Sequence, residues 1–367
     1  MGSVFGSSIK FGLFGESHGE YIGATIDNFP CGIELDYNFI KSEINRRKAN
    51  NSGLTTNRIE DDDFEIISGV LNNKTTGSPI TVLIKNDNIR SSDYSDFSNI
   101  PRPSHSDYTA SIRYNNFNDI RGGGHFSARI TAPMVVIGAI VKIALREKFN
   151  IQIASHIKQI YNIKDSYNTV NRFLSYDDFM LNNNKDLPVF NNDSMIQMIN
   201  AIQKAKEEGD SLGGIISVFV FGVEAGLGSP FFESIESRLG QSIFAIPAVK
   251  GVEFGLGFDF VNYKGSECND VYFYDDNKIK TKTNNNGGIL GGISTGMPII
   301  INISIKPTSS ISKTQYTLNV KTKEEEKLNI KGRHDPCIAV RCPVILESAV
   351  AISLLDLCID MRGHILW

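Results

Sequence analysis

Residues 101–133 concentrate side chains that could bind an anion or transfer a proton. This segment contains Arg102, His105, Arg121 and Arg129, and three adjacent glycines occupy positions 122–124. Glycine has no Cβ, so the backbone can approach a bound group closely, and arginine donates paired hydrogen bonds to phosphate or carboxylate. The combination predicts an anion-binding loop, and a plain glycine-rich turn is the alternative.

Three other loops carry residues suited to acid–base chemistry or phosphate binding. His18, within residues 14–19, could be a general acid, although a lone loop histidine is more often simply hydrogen-bonded. Lys306 and the three hydroxyls that follow it could contact phosphate, although Pro-Thr-Ser-Ser also describes an ordinary turn. Asp335 follows an Arg-His pair, which could hold it ionised as a base; a structural arginine–aspartate pair is the alternative.

Hydrophobic periodicity predicts the elements that must position these loops. Asp36 is a suitable N-cap for a helix through about Lys48. Arg46 and Arg47, near its end, either complement the helix dipole or reach an anionic ligand. A buried helix is predicted from Pro133. The other predicted elements are two short strands within 4–30, strands at 64–70, 80–85, 215–221, 248–253 and 298–305, and helices at 193–208, 231–244 and 343–360.

Polar segments are predicted to lie on the surface. Residues 160–195 are rich in asparagine and are interpreted as a surface excursion without a functional role. Residues 318–331 are charged and predict a solvated connection, and Asp61, Asp62 and Asp63 predict a solvated acidic turn.

Composition limits the class of protein. The net charge of -4 and the pI of about 5.9 argue against a general nucleic-acid-binding protein. Five cysteines without C-x-x-C spacing predict reduced thiols in a cytoplasmic protein, with no metal site. The longest apolar run is too short to span a bilayer, so no membrane segment is expected. The chain carries neither a P-loop nor a Rossmann fingerprint.

Several of these segments together resemble the chorismate synthase family. The matching motifs occur in one order from about residue 10 to 360, which makes the resemblance specific. They are FGESHG at 14–19, RPSHSDYT at 102–109, RGGGHFSAR at 121–129, GDSLGG at 209–214, AVKGVEFG at 248–255, GGILGGISTG at 287–296, KPTSS at 306–310 and GRHDP at 332–336.

The resemblance implies a fold and an activity. The fold is α+β, a β-α-β sandwich with helices packed between antiparallel sheets, formed by residues 1–367 as a single domain and usually assembled as a homotetramer. The reaction converts 5-enolpyruvylshikimate 3-phosphate to chorismate and phosphate by an anti-1,4 elimination. It requires reduced FMN (FMNH2), although there is no net redox change.

The resemblance also assigns site residues. The catalytic positions are His18, which protonates the leaving phosphate side or supports the substrate, His105, which keeps the reduced flavin correctly protonated, and Asp335, which participates in accepting the C6 proton. The substrate-binding positions are Arg47, Arg102, Ser127, Arg129 and Arg333. The cofactor-binding positions are His105, His125, Phe126, Ser127, Pro247, Ala248, Gly291, Lys306, Pro307, Thr308, Ser309, Ser310 and Arg333.

Three departures from the common family pattern affect ligand contacts. Gly53 stands where many relatives carry arginine, so one anion contact is absent or supplied by Lys48. His125 and Phe126 replace a common Arg-Ser pair, and Pro247 replaces a common asparagine. Two alternative functions are a bifunctional enzyme that also reduces FMN with NADPH, and a flavin- or phosphometabolite-binding protein without catalytic activity.

Overall fold

The computed structural model describes residues 2–48, 53–55, 62–86, 97, 99–166, 174–183, 185, 187–330 and 334–364. Arg333 and most of the segment around Gly53 lie outside this part of the chain.

The first sheet is built from the N-terminal quarter of the chain. Its strand order is β1-β2-β3-β7-β4 and every pairing is antiparallel. The His18 loop joins β2 to β3, as the two-strand prediction for residues 4–30 requires. The strands are β1 (Val4–Phe5), β2 (Lys10–Gly15), β3 (Tyr21–Asp27), β4 (Phe64–Ser68) and β7 (Ile80–Lys85), and a small hairpin of β5 (Val70–Leu71) and β6 (Lys74–Thr75) follows β4.

The second sheet is also antiparallel and has the order β11-β16-β10-β8-β9. Its strands are β8 (Gln152–Ile160), β9 (Ile163–Lys164), β10 (Gly214–Phe221), β11 (Val249–Phe254) and β16 (Ile299–Ile305). Three two-stranded hairpins complete the described strands: β12 (Tyr272–Asp275) with β13 (Lys278–Thr281), β14 (Ile289–Leu290) with β15 (Ile293–Ser294), and β17 (Gln315–Leu318) with β18 (Glu325–Leu328).

Helices lie between the two sheets. Helix α3 packs on β3 and β7 of the first sheet, α8 packs on β8 and β10 of the second, and the two helices pack on each other. This confirms the predicted β-α-β sandwich. The described helices are α1 (Tyr37–Arg47), α2 (Asp107–Arg113), α3 (Thr131–Phe149), α4 (Tyr176–Asn182), α5 (Asn192–Glu207), α6 (Ile235–Phe244), α7 (Gly265–Cys268) and α8 (Cys342–His364).

Helices α3 and α8 are apolar because they form the middle layer. Residues 131–145 of α3 are all buried, and α8 is buried along most of its length. By length and composition alone, Ala128–Phe149 and Ile338–Met361 could each cross a membrane. Their position between two sheets accounts for that composition, because each helix contacts protein on every side.

A buried ionic cluster ties the middle layer together. The Lys142 ammonium on α3 contacts the carboxylates of Glu43 and Glu347, and Arg46 donates to the same two carboxylates at 2.7 and 2.6 Å. Burial alone would raise the pKa of Glu347, but Arg46 and Lys142 outweigh it and lower the pKa to about 2. Arg46 is therefore a structural residue of the core.

Two segments that were predicted to be solvated contain packed structure. The asparagine-rich region 160–195 includes α4, whose Phe179 is fully buried, as are Leu187 and Val189. The charged run 318–331 includes β18, where Leu328 packs with Phe97. The prediction for 160–195 was wrong in part, because its apolar residues pack against distant parts of the chain. The prediction for 318–331 holds for residues 320–327, which are all exposed, and fails only at the buried Leu328 and Ile330.

His156 gives the fold a specific pH dependence. It is buried on β8 against the rings of Phe179, Phe190 and Phe219. Burial lowers the pKa of His156 below its ordinary value of 6.5, and Asp165, whose carboxylate is 3.6 Å from Nδ1, only partly opposes this effect. The imidazole is therefore kept neutral in the folded protein.

Protonation of His156 in the unfolded chain is expected to cost stability in acid. Since its pKa is lower in the folded state, the unfolded state binds more protons below pH 6.5, and the free energy of unfolding falls as the pH drops. Between pH 7.5 and 5.5, we expect the free energy of unfolding to fall by about 1 kcal/mol less in His156→Phe than in the unaltered protein. Urea unfolding of both proteins at the two pH values measures this difference. Identical pH dependences would contradict the assignment.

Candidate active site

A cavity of about 850 Å³ lies where the glycine segment, the C-terminal end of α6 and the segment after β16 meet. Thr131 and Met134 of α3 also line it, so the N-terminal turn of this buried helix faces the cavity. Most of the site residues assigned from the sequence line it: Arg102, His105, His125, Phe126, Ser127, Pro247, Ala248, Lys306, Pro307, Thr308, Ser309, Ser310 and Asp335.

Four assigned residues in the described part of the chain do not line this cavity. His18 is buried behind Gly122, and Arg47 and Arg129 are buried against Asp62. Gly291 is exposed in the turn between β14 and β15. The assignment of Arg333 falls on a residue outside the described part.

The triple glycine forms a turn that only glycine fits. All three residues have positive φ, of 59°, 88° and 52°. A Cβ on Gly122 would lie 2.1 Å from Cε1 of His18, and one on Gly124 would lie 2.1 Å from the Asp119 carbonyl oxygen. The Ser17 N–H donates to the Gly124 carbonyl at 3.1 Å. The turn therefore packs directly on the His18 loop at Gly122, and the close Asp119 carbonyl requires glycine at position 124.

Gly122→Ala tests the contact between these two loops. The positive φ costs alanine about 1–2 kcal/mol, and the new methyl group must displace the His18 ring, since that side chain is the nearest neighbour. We expect activity to fall by more than the loss of stability explains. Thermal unfolding and steady-state turnover, with Gly32→Ala as a positive-φ control in open space, check this result. Equal activity losses in the two variants would contradict it.

A carboxylate that the sequence left without a role orients His105. Asp107 is buried and accepts from Arg102 Nε at 2.8 Å and Nη2 at 2.7 Å, and its Oδ1 lies 2.6 Å from His105 Nδ1. Burial raises the pKa of Asp107, but hydrogen bonds from Arg102 and His105 outweigh this and hold it well below its usual range. Asp107 is therefore an ionised acceptor.

The 2.6 Å separation fixes the tautomer of His105. Two lone pairs cannot approach so closely, so Nδ1 carries a proton and donates it to Asp107. Arg102 Nη2, 3.0 Å from the same nitrogen, is then a contact and not a hydrogen bond. Nε2 is left as the nitrogen of His105 that can exchange a proton with a bound molecule.

Asp62 was predicted to be solvated, and this prediction was wrong. Its side chain lies between two arginines and the residue is only 4% exposed. Arg47 Nη1 lies 3.1 Å from one carboxylate oxygen, and Arg129 Nη1 contacts the other. Arg47 Nε also donates to Thr131 Oγ1 at 3.2 Å. Arg47 and Arg129 therefore join the end of α1, the loop before β4 and the start of α3.

Asp335 pairs with an arginine that the sequence did not suggest. Arg341 Nη1 lies 3.1 Å from its carboxylate, and Arg341 Nε donates to the Arg47 carbonyl at 2.9 Å. His334 also lines the cavity. Burial is the main cause that lowers the pKa of His334, and the positive charge of Arg102 lowers it further. The negative charge of Asp335 opposes both effects but does not outweigh them. A neutral imidazole and a carboxylate thus lie at one wall of the cavity.

The segment after β16 is bonded to residues 102–104 at the cavity. Arg102 Nη1 donates to Ser310 Oγ at 3.2 Å, and the Lys306 ammonium contacts the Ser104 carbonyl. The cavity is therefore rich in cations and hydroxyls, includes imidazoles and one carboxylate, and can bind an anionic molecule and move a proton. Among the described residues, no cluster of histidine, cysteine, aspartate or glutamate could hold a metal ion.

Comparison with known proteins agrees with this geometry. A family model described as "Chorismate synthase" matches residues 9–359. The chain is 45% identical over 359 residues to the chorismate synthase of Methanobrevibacter smithii, covering 97% of this chain and 96% of the relative. It is 44% identical over 351 residues to that of Pyrococcus abyssi, covering 96% of each.

The fold has a solved counterpart as well. A structure titled "Crystal Structure of Chorismate Synthase" superposes with a TM-score of 0.74 at 29% identity, covering 98% of this chain and 94% of that one. The resemblance inferred from eight separate motifs is thereby confirmed. The chain belongs to the chorismate synthase family, which is a family of carbon–oxygen lyases.

Proposed function

We propose that this protein eliminates phosphate from 5-enolpyruvylshikimate 3-phosphate in the anti-1,4 sense to give chorismate, with reduced FMN and without net redox change. The observation that carries the proposal is the cavity itself. Three segments far apart in sequence bring Arg102, His105, Ser127, Lys306 and Asp335 to its walls. Membership of the chorismate synthase family supports the same activity.

The cavity fits a flavin together with a small anionic ring. Pockets for cofactors and small ligands are about 300–1,000 Å³, and this one is about 850 Å³. Apolar side chains from α3 and α8, among them Met134 and Ile352, line one part and suit an aromatic ring system. Lysines and arginine line another part and suit the carboxylates and phosphates of the two ligands.

Bound reduced flavin would supply electron density to the substrate ring. The chain's own groups do the rest. Arg102, fixed by Asp107, stabilises negative charge that develops on the departing phosphate. His105, held through Nδ1 by Asp107, leaves Nε2 free to exchange a proton with a molecule bound in the cavity. Asp335 participates in accepting the proton lost from the substrate.

The remaining assignments stay part of this proposal. His18, Arg47, Arg129 and Arg333 are retained as residues that support the substrate, and Gly291 as a flavin contact, because the family motifs include them. For Arg47 and Arg129, which do not line the cavity, the bonds to Asp62 favour an indirect, supporting role.

We place the enzyme in the cytoplasm as a single-domain homotetramer that binds neither nucleic acid nor membrane. Buried free thiols, such as those of Cys337 and Cys342, support a reducing compartment. One hydrophobic core that includes residues from both sheets supports a single domain. Phe231 and Phe232 are 85% and 91% exposed, and exposed aromatic surface of this kind supports self-association.

An anaerobic assay tests the proposed activity. Protein, substrate and photoreduced FMN are mixed without NADPH, and phosphate and chorismate are measured. Stoichiometric release of both products is expected, and neither product should form with oxidised FMN. Absence of both products under reducing conditions would overturn the proposal in favour of a non-catalytic binding protein. Oxidation of NADPH by the same protein with FMN would establish the bifunctional alternative.

A further inference from the structure

Lys250 lies at an irregularity in the second sheet. Val249 of β11 pairs with Ile305 of β16, and Gly251 pairs with the adjacent Ser304, so Lys250 is the extra residue of a β-bulge. The neighbouring Ala248 has φ of 71°, an uncommon conformation for a residue with a Cβ. Bulges redirect side chains, and they recur beside functional sites.

The bulge brings Lys250 close to Lys306. The Lys306 N–H, directly after β16, donates to the Ala248 carbonyl at 2.9 Å, and both lysines line the cavity. Burial is the main cause that lowers the pKa of Lys306, and the positive charge of Lys250 lowers it further. Among the described residues, no carboxylate lies within ion-pair distance of either ammonium. The two positive charges therefore repel each other without a counter-charge in the described part of the chain.

A third donor lines the same cavity as the lysine pair. Thr308, two residues after Lys306, lines the same cavity, and its hydroxyl is buried without a hydrogen-bond partner among the described residues. A buried polar atom without a partner is costly, so its retention points to a bound group that satisfies it. Two ammonium groups and one hydroxyl match the charge and the acceptor oxygens of a phosphate monoester.

We propose that Lys250 acts with Lys306 and Thr308 to bind the phosphate monoester dianion of a ligand in this cavity. The assignment of a ligand role to Lys250 is new, and it rests on the proposed function. The dianion neutralises the repulsion between the lysines, and each ammonium contributes as a point charge. The phosphate belongs either to FMN or to the substrate, because both carry a phosphate monoester.

Lys250→Gln separates these two sources. Binding is measured by calorimetry for FMN against riboflavin, and for the substrate against its dephosphorylated analogue. We expect the variant to weaken binding of one phosphorylated ligand by about 10- to 100-fold, and to change binding of its phosphate-free counterpart by less than about 2-fold. Lys250→Arg should retain most of the affinity, because it keeps the charge.

Lys204→Gln is the matched control, since Lys204 is an exposed lysine on α5 that pairs only loosely with Glu208 at 4.0 Å. It should leave all four affinities unchanged. Two results would overturn the assignment of Lys250 without affecting the proposed function. In one, Lys250→Gln binds both phosphorylated ligands as tightly as the unaltered protein does. In the other, it binds each phosphorylated ligand and its phosphate-free counterpart more weakly by the same factor. Failure of the unaltered protein to bind either phosphorylated ligand would instead reject the proposed function, and this inference with it.

Discussion

Asp107→Asn is expected to lower turnover by about 100-fold, a typical effect of losing an oriented acid–base group, while the protein stays folded but is less stable, because the buried Arg102 loses its ionic partner. The asparagine amide is close in size to the carboxylate, but it removes the charge that accepts from Arg102 and from His105 Nδ1. The asparagine offers one neutral oxygen where the two carboxylate oxygens served Arg102 and His105, so the imidazole tautomer is no longer fixed and Arg102 is held less firmly. kcat should fall because His105 is no longer held, and KM should rise as well, because Arg102 is a substrate-binding residue and loses part of its anchor.

Two comparisons establish that Asp107 acts through His105. His105→Ala alone and the double variant with Asp107→Asn should have nearly equal kcat, because residues that act as a unit are not additive. Asp119→Asn is the matched control, since this carboxylate pairs with the exposed Arg121 at 2.7 Å. Turnover of Asp107→Asn within about 3-fold of the unaltered protein, or fully additive losses in the double variant, would contradict a positioning role.

Asp62→Asn is expected to destabilise the fold by about 3–5 kcal/mol, the range for removing one partner from a buried ionic cluster. The substitution leaves Arg47 and Arg129 buried without their shared carboxylate. Asp62 has φ of 49°, and asparagine tolerates this left-handed conformation as well as aspartate does. The loss therefore reports on the charge and not on backbone strain.

Urea unfolding of Asp62→Asn and Asp63→Asn measures this effect with the neighbouring residue as its control. Asp63 is exposed, so its substitution should change the free energy of unfolding by less than about 0.5 kcal/mol. A loss of less than about 1 kcal/mol in Asp62→Asn would show that the two arginines have other sufficient partners and would remove Asp62 from its structural role.

Local patterns predicted most of the regular structure. Asp36 caps α1 through the Phe39 N–H at 3.0 Å, as its residue type indicates, and the apolar run after Pro133 is the buried helix α3. The helix begins two residues before Pro133, because a proline is tolerated anywhere in the first turn. Such features depend on neighbours within a few residues, so the sequence displays them directly.

Long-range electrostatics could not be predicted in the same way. Three consecutive aspartates favour a solvated turn, and nothing nearby in sequence shows that Asp62 faces Arg129, 67 residues away. The partner of Asp335 was missed for a different reason: Arg341 is only six residues away, at the end of a short 3-10 helix before α8, and the adjacent Arg-His pair drew attention to Arg333. The pairing of Asp62 with Arg129, in contrast, is set by how distant parts of the chain pack.

The site was predicted better than its internal contacts. The glycine turn, the Lys306 segment and the Asp335 segment were all recognised, and they meet at one cavity. Asp107 was visible two residues after His105, a spacing that could have indicated its role. Lys250 gave no comparable signal, because the bulge that turns it beside Lys306 follows from the pairing of β11 with β16.

A crystal structure of the protein grown with FMN and 5-enolpyruvylshikimate 3-phosphate tests the central claim most directly. We expect the isoalloxazine ring inside the cavity lined by His105, Ser127 and Lys306, with the substrate ring stacked on it and Arg102 within hydrogen-bond distance of an anionic group. Density for the flavin at another place on the protein, or Arg102 and Asp335 out of reach of both ligands, would contradict the account.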